Sequence, residues 1–112
     1  MRFEEHTVDA VLVAKVLETR IAADVAPRFK RDLIEYINRG HQLLVVDLSE
    51  VTFIDSSGLG ALIGSLKAVG QDGELALCGA CETVASMFKL TRMNKVFRMF
   101  DRPEQAVAAL SR

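Results

Sequence analysis

Asp55, Ser56 and Ser57 stand together where an apolar stretch, Val51-Thr52-Phe53-Ile54, gives way to Gly58-Leu59-Gly60 and a second apolar run. A strand ending in a carboxylate and two hydroxyls, with a helix starting at once, puts both serines beside the unpaired N–H groups of a first helical turn. The helix dipole favours negative charge there, and a phosphate fits the same place. Nucleophilic catalysis would need a base. No Gly-x-Ser-x-Gly elbow surrounds either serine, and neither His6 nor His41 has the setting of a triad. The serines therefore read as a switch and not as a nucleophile. Taken alone, Asp-Ser-Ser-Gly is also what plain helix capping selects.

A second chemical candidate is Cys78-Gly79-Ala80-Cys81, again between a strand and a helix. A redox pair sits in such a place because the helix start lowers a thiol pKa. The bland alternative is a small buried strand residue followed by a loop or cap residue. Here the pair also comes late in the chain, after three strands and two helices. Two cysteines make no disulfide framework, and the isolated histidines leave no zinc ligand set, so no metal and no cofactor are expected. Lys89, Arg92, Lys95, Arg98 and Arg102 are spread over a helix end, a loop and a strand, and with one Tyr and no Trp for stacking they read as a solvated surface, not a nucleic-acid site.

The elements that must hold these groups follow from periodicity. Ala10 to Val16 is apolar on both faces, as in an interior strand, and residues 3–6 are expected to pair with it at the edge. Val25, Phe29, Leu33 and Ile37 recur every four residues in a helix with Asp24 as its N-cap, Pro27 in its first turn and Gly40 as its stop. His41 to Leu48 is a strand. The second helix starts at the serines and turns Leu59, Leu62, Ile63 and Leu66 inward, with Gly58 and Gly60 keeping its outer surface open. Gly70-Gln71-Asp72-Gly73 turns the chain into a strand over Glu74 to Cys78. A helix with Val84, Met87 and Phe88, a short strand over Val96 to Met99, and a last helix capped by Asp101 with Pro103 and Glu104 complete the order. Strands alternating with helices imply an α/β domain with a small mixed, largely parallel sheet of four to five strands and about four helices.

With 112 residues, half of them hydrophobic, the chain makes one packed domain spanning 1–112. Its net charge of −1 exerts no global pull on nucleic acid or membrane, although residues 1–85 sum to −5 (8 basic, 13 acidic) and 86–112 to +4 (6 basic, 2 acidic). No apolar run reaches the length of a membrane span, and Met1 to His6 lacks the apolar stretch of a signal peptide, so a cytoplasmic protein without a membrane partner is expected.

Val46-Asp47-Leu48-Ser49-Glu50-Val51-Thr52-Phe53-Ile54, the Asp55 to Gly60 element and the later Phe88-Lys89-Leu90-Thr91-Arg92-Met93-Asn94-Lys95-Val96-Phe97 together resemble the STAS family (sulfate transporter and anti-sigma factor antagonist domains). Within it the chain looks like the free-standing bacterial anti-sigma factor antagonists. The resemblance implies a small sheet covered by helices, and a serine directly after the aspartate that a partner serine kinase, itself an anti-sigma factor, phosphorylates. By position that serine is Ser56, with Ser57 as the minor candidate. It further implies that the unmodified protein binds the anti-sigma factor, that phosphate ends the binding, and that a PP2C-type serine phosphatase restores it. Asp24, Asp55, Ser56, Ser57, Gly58 and Leu59 are the expected partner surface.

One position departs from the family. Members often carry Gly-x-Leu-Asp before the first helix, with the acid in the partner surface, whereas Thr19-Arg20-Ile21-Ala22 stands here. The acid position falls on Ala22, and Asp24 lies two residues on. The expected protein is a binding switch and not an enzyme. The alternatives are a STAS subunit of a larger assembly such as a transporter, and a thiol–disulfide oxidoreductase using Cys78 and Cys81.

Overall fold

The computed structural model describes residues 1–111. Its main sheet sets side by side, in this order, β1 (Phe3–Val8), β2 (Val11–Val16), β4 (Leu43–Asp47), β6 (Glu74–Cys78) and β7 (Arg98–Phe100). Only β1 is antiparallel, folding back on β2 through a tight turn at Asp9, which adopts a left-handed backbone. The other pairings are parallel, with Leu44 opposite Leu12 on one side and Leu75 on the other.

Helices α1 (Ala26–Asn38), α2 (Ser56–Ala68) and α3 (Glu82–Leu90) cover one face, and α4 (Pro103–Leu110) covers the other. The two-sided burial explains the apolar runs. Leu12, Ala14, Leu44, Val46, Leu75 and Leu77 meet the three-helix layer, while Val11, Val13, Val45, Ala76 and Cys78 meet Ala106, Val107 and Leu110 of α4. Among the described residues no helix is long and apolar enough to cross a membrane.

Several local expectations shift. The edge strand runs to Val8, past residue 6, and Ala10 belongs to the turn. β4 begins at Leu43 rather than His41. β7 covers Arg98–Phe100 instead of Val96 to Met99, because a 3-10 turn at Met93–Lys95 uses up the preceding residues and Phe97 turns into the core. Asp24 does not cap α1. Val25 holds the N-cap position without a side-chain bond, and the Ala22 carbonyl accepts from the N–H groups of Val25 and Ala26 at 3.0 and 2.9 Å. At α4 the cap residue is Arg102, not Asp101, and Gln105 Oε1 accepts from the N–H groups of Asp101 and Arg102 at 3.1 and 3.2 Å. Gly40 ends α1 as expected, at φ 101°.

A second, two-stranded parallel sheet pairs β3 (Arg20–Ile21) with β5 (Phe53–Ile54). It is short, yet it decides the geometry of the site. It ties the segment entering α1 to the segment entering α2.

Candidate functional site

Both helix starts are organised by Asp55. Its backbone is extended, its amide donates to the Ile21 carbonyl at 3.3 Å, and its carbonyl accepts from Leu59 N–H at 3.0 Å. Its carboxylate then divides its work. Oδ1 accepts from Gly58 N–H at 3.0 Å and caps α2, while Oδ2 accepts from Ala23 N–H at 3.1 Å, just before α1. Charge-assisted bonds to backbone donors are among the stronger ones, so one side chain fixes both helix starts against each other. No side-chain cap holds α1 locally, and Ala22, at the position where the resemblance leads one to expect an acid, is buried. Asp55 supplies from a distance the side-chain acceptor that this entry to α1 lacks.

Ser56 and Ser57 are the first two residues of α2, and both are exposed. Ser57 opens a shallow groove that passes between Ala26 and Gly60 toward Lys30 on α1. Asp24 is exposed just before α1 and bonds to neither helix start as a cap. Gly60 fits the expected openness, since a Cβ there would meet nothing within 4 Å. Gly58 does not. It is buried, and a Cβ would collide with the Ile21 carbonyl and lie 2.6 Å from Ile54 Cγ1. Leu59, 5 % exposed, is likewise core. Of the six expected surface residues, Gly58 and Leu59 therefore act beneath the surface, holding α2 close to the small sheet, while Asp55 is half-buried and Asp24, Ser56 and Ser57 face solvent.

Sequence reasoning missed the rim. The Arg20 guanidinium lies 4.6 Å from the centre of the Phe53 ring, which is 37 % exposed, and Thr52 Oγ1 donates to the Thr19 carbonyl at 3.1 Å. The parallel β3–β5 pairing places Arg20 directly across from Phe53. An Arg and a Phe 33 positions apart carry no local signal. No histidine joins the serines: His6 pairs across from Val13 in the main sheet, and His41 sits edge-on to Tyr36 at 6.3 Å.

The cysteine pair has the opposite character. Cys78 ends β6 at 1 % exposure. Burial, reinforced by the charge of the neighbouring Asp47 carboxylate, pushes the thiol up to about 12. A redox nucleophile needs a thiol pKa shifted downward. Cys81 takes the N-cap position of α3 without a side-chain capping bond, and its Sγ donates to the Val51 carbonyl at 3.5 Å. Of the basic residues, Arg98 pairs with Glu74 and Arg102 lies 3.9 Å from Glu104.

A model of the STAS domain matches residues 6–106. The chain is 32 % identical over 80 residues to the anti-sigma-B factor antagonist of Listeria monocytogenes, an alignment covering 70 % of each. Among solved structures, an anti-sigma factor antagonist from Mycobacterium paratuberculosis superposes with a TM-score of 0.90 at 22 % identity, over 99 % of this chain and 94 % of that one. The Bacillus cell fate determinant SpoIIAA in its phosphorylated form superposes with a TM-score of 0.70 at 17 % identity, over 96 % and 98 %. At those identities the likeness is one of fold.

Proposed function

The chain belongs to the STAS domain family, and from that premise we propose that it is an anti-sigma factor antagonist whose binding is switched by phosphorylation of Ser56. The observation that carries the proposal is the exposed Ser56 hydroxyl at the first position of α2, next to a carboxylate already engaged by both helix starts. The similarity to named antagonists supports the same reading.

The chemistry is that of a charge switch. A phosphate on Ser56 brings a charge of about −1.5 to −2 at pH 7, which the start of α2 accommodates without unfolding. At a partner's surface the same dianion, beside Asp55, adds repulsion and desolvation. A loss of roughly 3 kcal/mol weakens binding about 150-fold, enough to release a partner. The unmodified face, with Asp24, Asp55, Ser56 and Ser57, binds an anti-sigma factor that is also the serine kinase. A PP2C-type serine phosphatase resets it. The protein is then a kinase substrate in the cytoplasm, not an enzyme, and it needs no cofactor.

Tandem mass spectrometry of the protein isolated from its own cells tests the switch, with Ser56→Ala as control. The expected result is phosphate on Ser56, absent from Ser57, and a partner retained by Ser56→Ala but lost by Ser56→Glu. Absence of phosphate under both growth and stress conditions would sink the proposal.

A further inference from the structure

We infer that the bracket between Phe88 and Phe97 is a docking surface for an anionic lipid bilayer, a role separate from the Ser56 switch. The two phenylalanines are buried and meet edge to face at 6.0 Å. Between them the chain makes the last turn of α3, a left-handed residue at Arg92 (φ 62°, ψ 17°) and one 3-10 turn. Such a backbone is uncommon outside glycine and persists only where its surroundings hold it. Here Arg92 N–H donates to the Lys89 carbonyl and Lys95 N–H to the Arg92 carbonyl, both at 3.1 Å, and Phe97 N–H donates to the Met93 carbonyl at 3.0 Å.

This well-held bracket displays an unusual set of side chains. Leu90 is 83 % exposed and Val96 50 %, while Lys89, Arg92 and Lys95 are exposed around them. Among the described residues none of these three cations forms an ion pair with a carboxylate. The whole-chain charge of −1 hides the arrangement, because residues 88–97 carry three basic side chains and no acidic one. Three free cations call for an anionic occupant. Two apolar side chains that protrude, instead of lining a groove, call for one that accepts protrusions without a matching pocket. A bilayer rich in anionic headgroups does both, with cations among the headgroups and apolar side chains at the acyl boundary.

Topology keeps the two surfaces apart. β4 and β6 are parallel, so α2 (by way of β5) and α3 both start near the same end of the sheet. The last turn of α3 therefore lies toward the opposite end, and docking there leaves Ser56 open to a partner.

Co-sedimentation of the full chain with vesicles is the test. Phosphatidylglycerol-rich vesicles are expected to carry the protein down and phosphatidylcholine vesicles to leave it in solution, with binding falling as salt is raised. Leu90→Ser should weaken binding about tenfold, and replacing Lys89, Arg92 and Lys95 together by Gln should abolish it. Unchanged unfolding midpoints would show that both variants fold, and Ser56→Ala should sediment like the parent. No sedimentation with the anionic vesicles overturns the inference, as does sedimentation that both variants leave intact. If vesicles fail while Leu90→Ser abolishes capture of a protein partner, the bracket is a protein contact and the bilayer assignment is wrong.

Discussion

The chain passes from strand to helix twice in chemically suggestive fashion, at Asp55-Ser56-Ser57 and at Cys78-Gly79-Ala80-Cys81, and the two junctions end up as opposites. At the first, a carboxylate caps α2 and two hydroxyls are left in solvent. At the second, the thiol of Cys78 is sealed beneath α4 and held in its neutral form, and α3 starts without a side-chain cap. The difference comes from the strand that precedes each. β6 carries its last residue, Cys78, into the interior between α4 and Asp47, whereas the chain leaves β4 at Asp47 and reaches α2 only through the outlying β5. A reactive residue type at a helix start is therefore not yet a reactive group. Its burial decides.

The largest expected effect tests what holds the first junction in place. Gly58→Val should cost about 3 kcal/mol, because its Cβ meets the Ile21 carbonyl, which cannot move without parting β3 from β5. Gly60→Ala, two residues on with open space around it, should be neutral or stabilising by up to about 1 kcal/mol. Urea unfolding of the two variants checks the pair. Equal effects would mean that α2 does not pack closely on the small sheet.

At the second junction the corresponding test is pH. A thiol raised to about 12 keeps its proton in the fold after the unfolded chain, near 9, has lost it. The unfolded state then binds fewer protons, so stability is whole below pH 9 and falls as pH climbs from 9 toward 12, by roughly 2 to 3 kcal/mol at about pH 11. Tyr36, also raised by burial and by its bond to Glu5, adds a decline that begins higher, above pH 10. In Cys78→Ala the part starting at pH 9 should vanish and the tyrosine part remain. A thiol reagent at about pH 8 should modify Cys81 well before Cys78. Rapid modification of Cys78 would reopen the redox reading.

Much of this was legible in the chain because it is written in long apolar runs. The almost unbroken stretch from Leu43 to Leu48 and the four-residue spacing of Val25, Phe29, Leu33 and Ile37 place a central strand and α1 without ambiguity. What escaped is non-local. A sheet of two-residue strands has no period to detect, yet it alone brings Arg20 over Phe53 and Ile21 against Gly58. Both misplaced caps have one cause. Asp24 and Asp101 are residue types that suit a cap, but the chain satisfies those helix starts otherwise, through the Ala22 carbonyl and the Gln105 side chain. At the candidate site, the place of Asp55 and Ser56 at the start of α2 was legible from type and spacing, while the second bond of Asp55, 32 residues away, was not.

That second bond gives the next prediction, intermediate in size. Asp55→Ala removes the cap of α2 and the acceptor for Ala23 together and should cost about 2 kcal/mol, where an ordinary cap costs about 1. Hydrogen exchange at Ala23 should quicken along with exchange at Gly58. Faster exchange at Gly58 alone would reduce Asp55 to a cap, and the contrast between the two junctions would shrink accordingly.

The smallest effect separates structure from recognition most cleanly. Asp24 is exposed and caps nothing, so Asp24→Ala should leave stability within about 0.5 kcal/mol of the parent. Had it been the cap its type suggests, the loss would be about 1 kcal/mol. Thermal unfolding distinguishes the two. Because the fold is untouched, any change in affinity for the partner retained by Ser56→Ala belongs to contact, and the expected change is a loss. Such a loss would extend the recognition surface from the start of α2 across to the start of α1, the two ends that Asp55 binds together. An unchanged affinity would confine recognition to α2, and the departure at Ala22 would then mark a real narrowing of the surface.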